Sequence, residues 1–252
     1  MQLLRLLDEV RAGTLAPADA ARQLSELPYA EVVHEVVVDA HRELRTGVPE
    51  LVYGASKTAD QIVAALRGLS AGGNGAIATR VDPAKAAAIC ALAPEVVVHE
   101  LARVVMLGTP APRPPAAPIA VVCAGTSDVP VAEEAALVAE FLGARVIRIV
   151  DVGVAGLHRL LARLDDIRQA QVVIAVAGME AALPSVLGGL IDRPMIAVPT
   201  SVGYGVSVDG LVALGALLSA CAPGITVVNI DNGVGAAVAA VKIARLAVHS
   251  GT

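Results

Sequence analysis

Ile119-Ala-Val-Val122, then Cys123-Ala124-Gly125-Thr126-Ser127-Asp128, then Val129-Pro130 and a helical pattern running to Phe141, is the stretch that decides the fold. It reads as a buried strand, a small polar turn and a helix, because a short β-branched run gives way to residues of helical periodicity. The same unit recurs toward the C-terminus. Strands are expected at Arg145 to Val150, Gln171 to Val176, Met195 to Val198 and Thr226 to Asn229. Helices are expected at about Val129 to Phe141, Gly156 to Leu164, Glu180 to Leu190, Leu211 to Ala220 and Gly235 to Val248. Buried strands alternating with helices predict an α/β fold with a doubly wound parallel sheet, covered on both faces.

Ligands of such sheets bind beyond the carboxyl ends of the strands. There the sequence places Gly125-Thr126-Ser127-Asp128, Asp151, Gly178-Met179-Glu180, Pro199-Thr200-Ser201 and Asp231-Asn232-Gly233. Each strand delivers a carboxylate or hydroxyl to one edge. Helix capping is the alternative use of such residues. Ser127 and Asp128 open the first helix, where free N–H groups can hold a carboxylate or phosphate, although Asp128 also suits a cap.

Upstream, Gly108 to Pro118 holds five prolines and reads as a linker, closed to a helix or a central strand. It divides an N-terminal α/β domain, 1–107, from the larger domain, 119–252. The smaller domain shows helices at its start, near Pro17, from about Thr58 to Leu69 and from Pro83 to Leu92. Short strands are expected at Val36 to Val38, Ala76 to Thr79, Glu95 to Val98 and Arg103 to Met106.

Composition narrows the function. Of 252 residues 56 % are hydrophobic and 17 % charged, which excludes a disordered chain. The net charge of −5 divides as about −2 before residue 118 and −3 after it, leaving no basic footprint for nucleic acid or an anionic membrane. The uncharged run Gly210 to Ile230 is cut by Pro223-Gly224, which leaves a core-sized helix of roughly twelve residues rather than a span. Three cysteines without CxxC spacing argue against a disulfide framework and for a reducing cytoplasm. No signal peptide is read at the N-terminus, where Arg5, Asp8 and Glu9 interrupt the leucines. The histidines His34, His41, His99, His158 and His249 show no zinc-site spacing, and a magnesium ion held by a diphosphate and one or two carboxylates is compatible with the sequence.

Gly125-Thr-Ser-Asp-Val-Pro-Val-Ala-Glu-Glu134, Ala177-Gly-Met-Glu-Ala-Ala-Leu-Pro184 and Pro194-Met-Ile-Ala-Val-Pro199 resemble the PurE family of aminoimidazole ribonucleotide carboxylases and mutases. Ala182 stands where that family has its catalytic histidine, which argues against purine chemistry. The chain is closer still to the LarB family, PurE-like proteins that begin synthesis of the nickel pincer cofactor. The likeness extends to Asp39-Ala-His-Arg42-Glu-Leu-Arg45-Thr-Gly-Val-Pro-Glu50, Tyr53-Gly-Ala-Ser-Lys57-Thr-Ala-Asp-Gln-Ile62, Ala78-Thr-Arg80, Cys221-Ala-Pro-Gly224 and Asn229-Ile-Asp231-Asn-Gly-Val-Gly235.

This resemblance implies a flavodoxin-like three-layer C-terminal domain, a homo-octamer, and a reaction on nicotinic acid adenine dinucleotide. The pyridinium ring is carboxylated at C5 with CO2 or bicarbonate and the phosphoanhydride hydrolysed, giving pyridinium-3,5-biscarboxylic acid mononucleotide and AMP. NAD is an analogue of that substrate. A pyridinium carbon is electrophilic, so a nucleophile must first add at C4 or C6, and a thiolate both adds and leaves readily. Cys221, at a Pro-Gly break ahead of the last strand, is the candidate that the resemblance favours, core filling being the alternative. Cys90 and Cys123 read as small buried hydrophobes. Glu180 is the candidate base, burial in its turn raising its pKa, or else a carboxylate in a first helical turn. Asp128 is a further catalytic candidate. Gly125, Thr126, Ser127, Ser201, Asp231 and Asn232 are candidate substrate contacts. The larger domain has one lysine, Lys242, so Arg42, Arg45, Lys57 and Arg80 of the smaller domain are assigned to the dinucleotide, a solvated charged face being the alternative. A PurE-type purine enzyme and a non-catalytic nucleotide-binding module are the competing readings.

Overall fold

The computed structural model describes residues 2–26, 29–32, 36–39, 42–71, 73–110, 113 and 116–249. The chain divides into two compact units, Met1–Val98 with Val105–Ala111, and His99–Val104 with Pro112–Thr252.

The first unit contains α1 (Gln2–Arg11), α2 (Pro17–Glu26), β1 (Tyr29–Val32), β2 (Val36–Asp39), α3 (Arg42–Thr46), β3 (Val52–Tyr53), α4 (Ala59–Ser70), β4 (Ala76–Thr79) and α5 (Pro83–Leu92). The strands β5 (Val96–His99) and β6 (Val104–Leu107) complete a four-stranded sheet of order β3-β4-β6-β5, and β1 pairs with β2 as an antiparallel hairpin. α4 begins where it does because Thr58 and Gln61 form a reciprocal capping box. α5 is capped by Asp82 with Pro83 at its first turn. Ile62, Leu66, Ile77 and Ile89, all fully buried, form the centre of this unit's core.

The second unit runs β7 (Ala116–Cys123), α6 (Val129–Phe141), β8 (Ala144–Ile149), α7 (Leu157–Ala162), α8 (Leu164–Arg168), β9 (Val172–Ala177), α9 (Ala182–Gly188), β10 (Met195–Pro199), α10 (Leu211–Leu218), β11 (Ile225–Val227) and α11 (Gly233–His249). All four strand pairings are parallel and the order is β11-β10-β9-β7-β8. Numbered from β7, that is the flavodoxin-like order 2-1-3-4-5, whose direction reverses between β7 and β9. Side chains alternate across the sheet: Ala120, Val122, Val173, Ala175 and Ala197 join the core with Leu160, Leu183 and Leu217, while Ile119, Val121, Ile174, Val176 and Ile196 are buried on the other face.

Two expectations change here. The proline-rich run is not closed to a central strand throughout, because Pro118 lies inside β7, between β8 and β9. A register shift between Ala116 and Ile119 accommodates it, and the Pro118 carbonyl still accepts from the Gln171 N–H at 2.8 Å. The apolar run after Gly210 is no core helix of twelve residues: α10 has eight and leaves Leu211, Val212 and Leu218 exposed. Among the described residues no helix is long and apolar enough to cross a membrane.

Candidate functional site

The carboxyl edge of the five-stranded sheet centres on Asp128, which is 4 % exposed. The hydroxyl of Thr200, itself fully buried, donates to Asp128 Oδ1 at 2.7 Å, and the Gly125 N–H donates to Oδ2 at 3.0 Å. Asp128 therefore ties the turn after β7 to the turn after β10. It does not cap α6, whose N-terminus lacks a side-chain cap. Burial pushes its carboxyl above the ordinary range, while the bonds from Thr200, Gly125 and the Gly178 N–H pull it back.

The neighbouring turns close around this pair. A Cβ at Gly178 would lie 2.4 Å from the Val202 carbonyl oxygen and 2.5 Å from Thr200 Oγ1, so only glycine fits. Met179 N–H donates to Val202 O at 2.8 Å, and Asp231 Oδ1 accepts from the Ser201 N–H at 2.8 Å. Asp151, Met179, Ala181, Val208, Asp209 and Asp231 all have positive φ, and all lie in turns that follow β8, β9, β10 or β11. Non-glycine residues in that region are strained, and such strain gathers at functional sites. The amino edge of the sheet has no such concentration among its described residues.

Each candidate can now be placed. Gly125, Thr126, Ser127 and Asp128 lie together in the turn after β7, with Thr126 and Ser127 exposed. Ser201 is exposed beside Asp231. Asn232 acts as a cap, its side-chain oxygen accepting from the Gly235 N–H at 2.8 Å. Glu180 lies at the correct edge, but it is exposed rather than buried in its turn, and it precedes α9 rather than standing in the helix's first turn. Thr200, the polar partner of Asp128, was not singled out by the sequence reading. Its signal was the hydroxyl following Pro199 at a strand end.

Cys221 lies elsewhere. It follows α10 and precedes β11, which places it at the amino edge of the sheet, and its neighbour Ala222 packs 3.0 Å from the Cβ position of Gly188 at the end of α9. The expectation that its loop reaches the strand-end cleft of the same chain is overturned. The helix-to-strand loops of a parallel sheet lie opposite its strand-to-helix loops, here the length of β10 away, roughly 16 Å for five residues. Cys221 is exposed, as is Cys90, which was expected to be buried. Ile89 is the core-facing residue of that turn of α5, and Cys90 is rotated away from it. Cys123 is buried, its thiol donating to Gly125 O at 3.0 Å, and desolvation pushes its pKa up to about 11.

In the first unit, Gly54 N–H donates to Thr79 O at 2.8 Å and Lys85 Nζ donates to the carbonyls of Gly54 and Ala55. The turn carrying Lys57 is thereby pinned beside the turn carrying Arg80, at the carboxyl ends of the parallel pair β3 and β4. Arg42 and Arg45 instead both pair with Asp39, holding its carboxyl below the usual range. Among the described residues no three His, Cys, Asp or Glu side chains converge as metal ligands. His34 and His41 lie outside the described residues.

Comparison with known proteins fits both units. A family model of the LarB/PurE-like N-terminal domain matches residues 30–109, and one of AIR carboxylase matches residues 118–250. The chain belongs to the LarB family. An uncharacterised protein of Methanocaldococcus jannaschii is 36 % identical over 254 aligned positions, covering 96 % of both chains. An N5-carboxyaminoimidazole ribonucleotide mutase of the same organism is 36 % identical over 135 positions, 51 % of this chain and 79 % of that protein. LarB and AIR carboxylase families consist of carboxylases and mutases, so a carboxylase-family enzyme is the functional class.

Proposed function

We propose that this LarB-family protein carboxylates nicotinic acid adenine dinucleotide at C5 of the pyridinium ring and hydrolyses its phosphoanhydride, releasing AMP and pyridinium-3,5-biscarboxylic acid mononucleotide. The observation that carries the reading is one chain combining a LarB/PurE-like N-terminal region with a PurE-like sheet in which Ala182 replaces the histidine of the purine enzymes.

In this reading the ring meets the Cys221 thiolate of a neighbouring copy in the assembly, since the same chain's thiol lies across the sheet from Glu180, and the thiolate adds to C4 or C6, turning the ring into an enamine with electron density at C5. C5 attacks CO2, supplied directly or from bicarbonate, and Glu180 takes the C5 proton. The thiolate then leaves and the ring regains aromaticity. Water cleaves the phosphoanhydride. Asp128 is a positioning residue that holds Thr200 and the Gly125 turn, leaving Thr126, Ser127 and Ser201 exposed toward substrate. In the smaller domain Lys57 and Arg80 are the candidates for the diphosphate, while Arg42 and Arg45, bound to Asp39, have less to offer. A magnesium ion in this reading would be held by the diphosphate and one or two carboxylates rather than by a cluster of three protein ligands, and no step is assigned to it. The enzyme works in the cytoplasm as a homo-octamer, an assembly inferred from the PurE-like proteins.

The test is mass spectrometry after incubation with the dinucleotide and 13C-bicarbonate. A product with one labelled carboxyl group, together with AMP, is the expected result. Turnover of aminoimidazole ribonucleotide instead would establish the purine reading, and binding without turnover the non-catalytic one.

A further inference from the structure

Two acids of the α6 segment are buried, and they face different neighbours. Among the described residues Asp128 and Glu134, each 4 % exposed, are the charged side chains shut away from solvent. Asp128 meets Thr200, while Glu134, six residues and about 9 Å further along the helix, meets the start of α11. A Cβ at Gly233, the first residue of that helix, would lie 2.9 Å from Glu134 Oε2, 3.0 Å from the Ala135 nitrogen and 2.7 Å from the Val131 carbonyl oxygen. Only a hydrogen atom fits there. An apolar side chain of similar volume would fill the space beside Gly233 at less cost, because a carboxylate taken from water needs a compensating charge or dipole. The positive end of a 17-residue helix supplies it.

The turn so gripped belongs to the carboxyl edge. Gly233 and Gly235 stand in the first turn of α11, and glycine holds a helix poorly, so the placement of that turn rests on its contacts. It follows directly on Asp231, whose N–H donates to the Pro199 carbonyl at 2.8 Å and whose Oδ1 accepts from the Ser201 N–H at 2.8 Å. Ser201 in turn follows Thr200. The two acids therefore hold one stretch of chain from two directions: Asp128 takes Thr200 directly, and Glu134 reaches Ser201 by way of α11 and Asp231.

We propose that Glu134 is a positioning residue for the reaction: its carboxylate fixes the first turn of α11, and through it the Asp231–Ser201 pair that meets the substrate. The contact with Gly233 and the bonds of Asp231 stand by themselves, whereas the identity of the substrate rests on the function proposed above. Ser201 and Asp231 contact the dinucleotide in the ground state and the transition state alike, so a shift of their turn weakens binding more than it slows the chemistry. Loss of a merely stabilising side chain would instead lower the amount of working enzyme and leave the affinity of the remainder unchanged.

Glu134→Gln keeps the shape of the side chain and removes its charge. Hydrogen exchange read by mass spectrometry tests the grip without any substrate: peptides covering 199–203 and 229–236 are expected to exchange about tenfold faster than in the wild type, with those of β9 unchanged. Equal acceleration in β9, or no change in either turn, overturns the proposal. In the product assay, KM for nicotinic acid adenine dinucleotide is expected to rise about five- to tenfold with kcat held within about twofold, and a fall in kcat at constant KM overturns it. A Glu134→Gln/Asp231→Asn chain is expected to bind no worse than Asp231→Asn alone, because the first residue acts through the second, whereas additive losses overturn that route. Glu134→Asp, which withdraws the charge by one methylene, is judged by the same criteria should the Gln chain not fold. A wild type that leaves the dinucleotide unchanged, with the exchange pattern intact, retains the grip on the turn and removes the functional reading.

Discussion

The two edges of the five-stranded sheet are built by different rules. At the carboxyl edge, turns of strained backbone close on a buried carboxylate, and the Gly178 turn has no room for a methyl group. At the amino edge, a Cβ at Gly188 would lie 3.0 to 3.4 Å from Ala222, Met195 and Ile225, tight but open to small shifts, and the thiol beside them is exposed. One edge is committed to a single geometry, whereas the other serves mainly to connect helices to strands. A reactive group at the tolerant edge can be changed at little cost to the fold, while one at the strained edge cannot.

The sharpest way to break this comparison is Cys221→Ser. Carboxylation is expected to fall by about a thousandfold or more, with adduct formation on NAD lost, while the thermal midpoint moves by no more than about 2 °C. A melt and a product assay on one preparation check both halves. Gly178→Ala is expected to cost about 2–3 kcal/mol in denaturant unfolding, because the new methyl group meets a carbonyl oxygen and a buried hydroxyl that have nowhere to go. Thr200→Val, which leaves Asp128 without its hydroxyl partner, follows at about 1–3 kcal/mol.

The pH dependence sharpens the contrast further. Burial holds the folded-state pKa of Asp128 above its ordinary value of 3.8, so the folded chain binds this proton more tightly than the unfolded one. The contribution of this group is complete below about pH 4 and is lost as pH rises through the raised value, with a slope of at most about 1.4 kcal/mol per pH unit. Relative to Asp128→Asn, the wild type is expected to lose stability over that window, as read from denaturant midpoints at successive pH values. A flat difference would show the carboxyl to be fully compensated. The smallest effect belongs to the amino edge, where Gly188→Ala is expected to stay within about 1 kcal/mol, since the flexible end of Met195 is among the groups that must move.

Much of the larger unit was legible because its strands are apolar runs bounded by small polar turns. α6 spans Val129–Phe141 as read, and β10 begins at Met195 as read. The convergence of Asp128, Asp151, Glu180, Ser201 and Asp231 on one edge followed from parallel topology alone. The side of the sheet on which Cys221 lies followed from the same topology, but its nearness in sequence to β11 was taken for nearness to the cleft. Thr200 escaped because a hydroxyl at a strand end looks the same whether it caps, faces solvent or holds a buried acid. In the smaller unit β1, α3 and β3, of four, five and two residues, are too short for periodicity to register. Cys90 was misplaced because α5 is alanine-rich on every side and marks no apolar face of its own.

α11 has a consequence for how the protein is made. This last helix lays Ala236, Ala237, Ala240 and Ala244, all fully buried, into the core, and Arg245 donates to the Leu142 carbonyl at 2.9 Å. Gly233 admits it so closely that a Cβ there would lie 2.7 Å from the Val131 carbonyl oxygen. During synthesis the ribosome therefore releases β7 and α6 long before the segment that covers them. One flank of the nascent sheet stays uncovered until α11 emerges, and its apolar surface is open to aggregation in the interval.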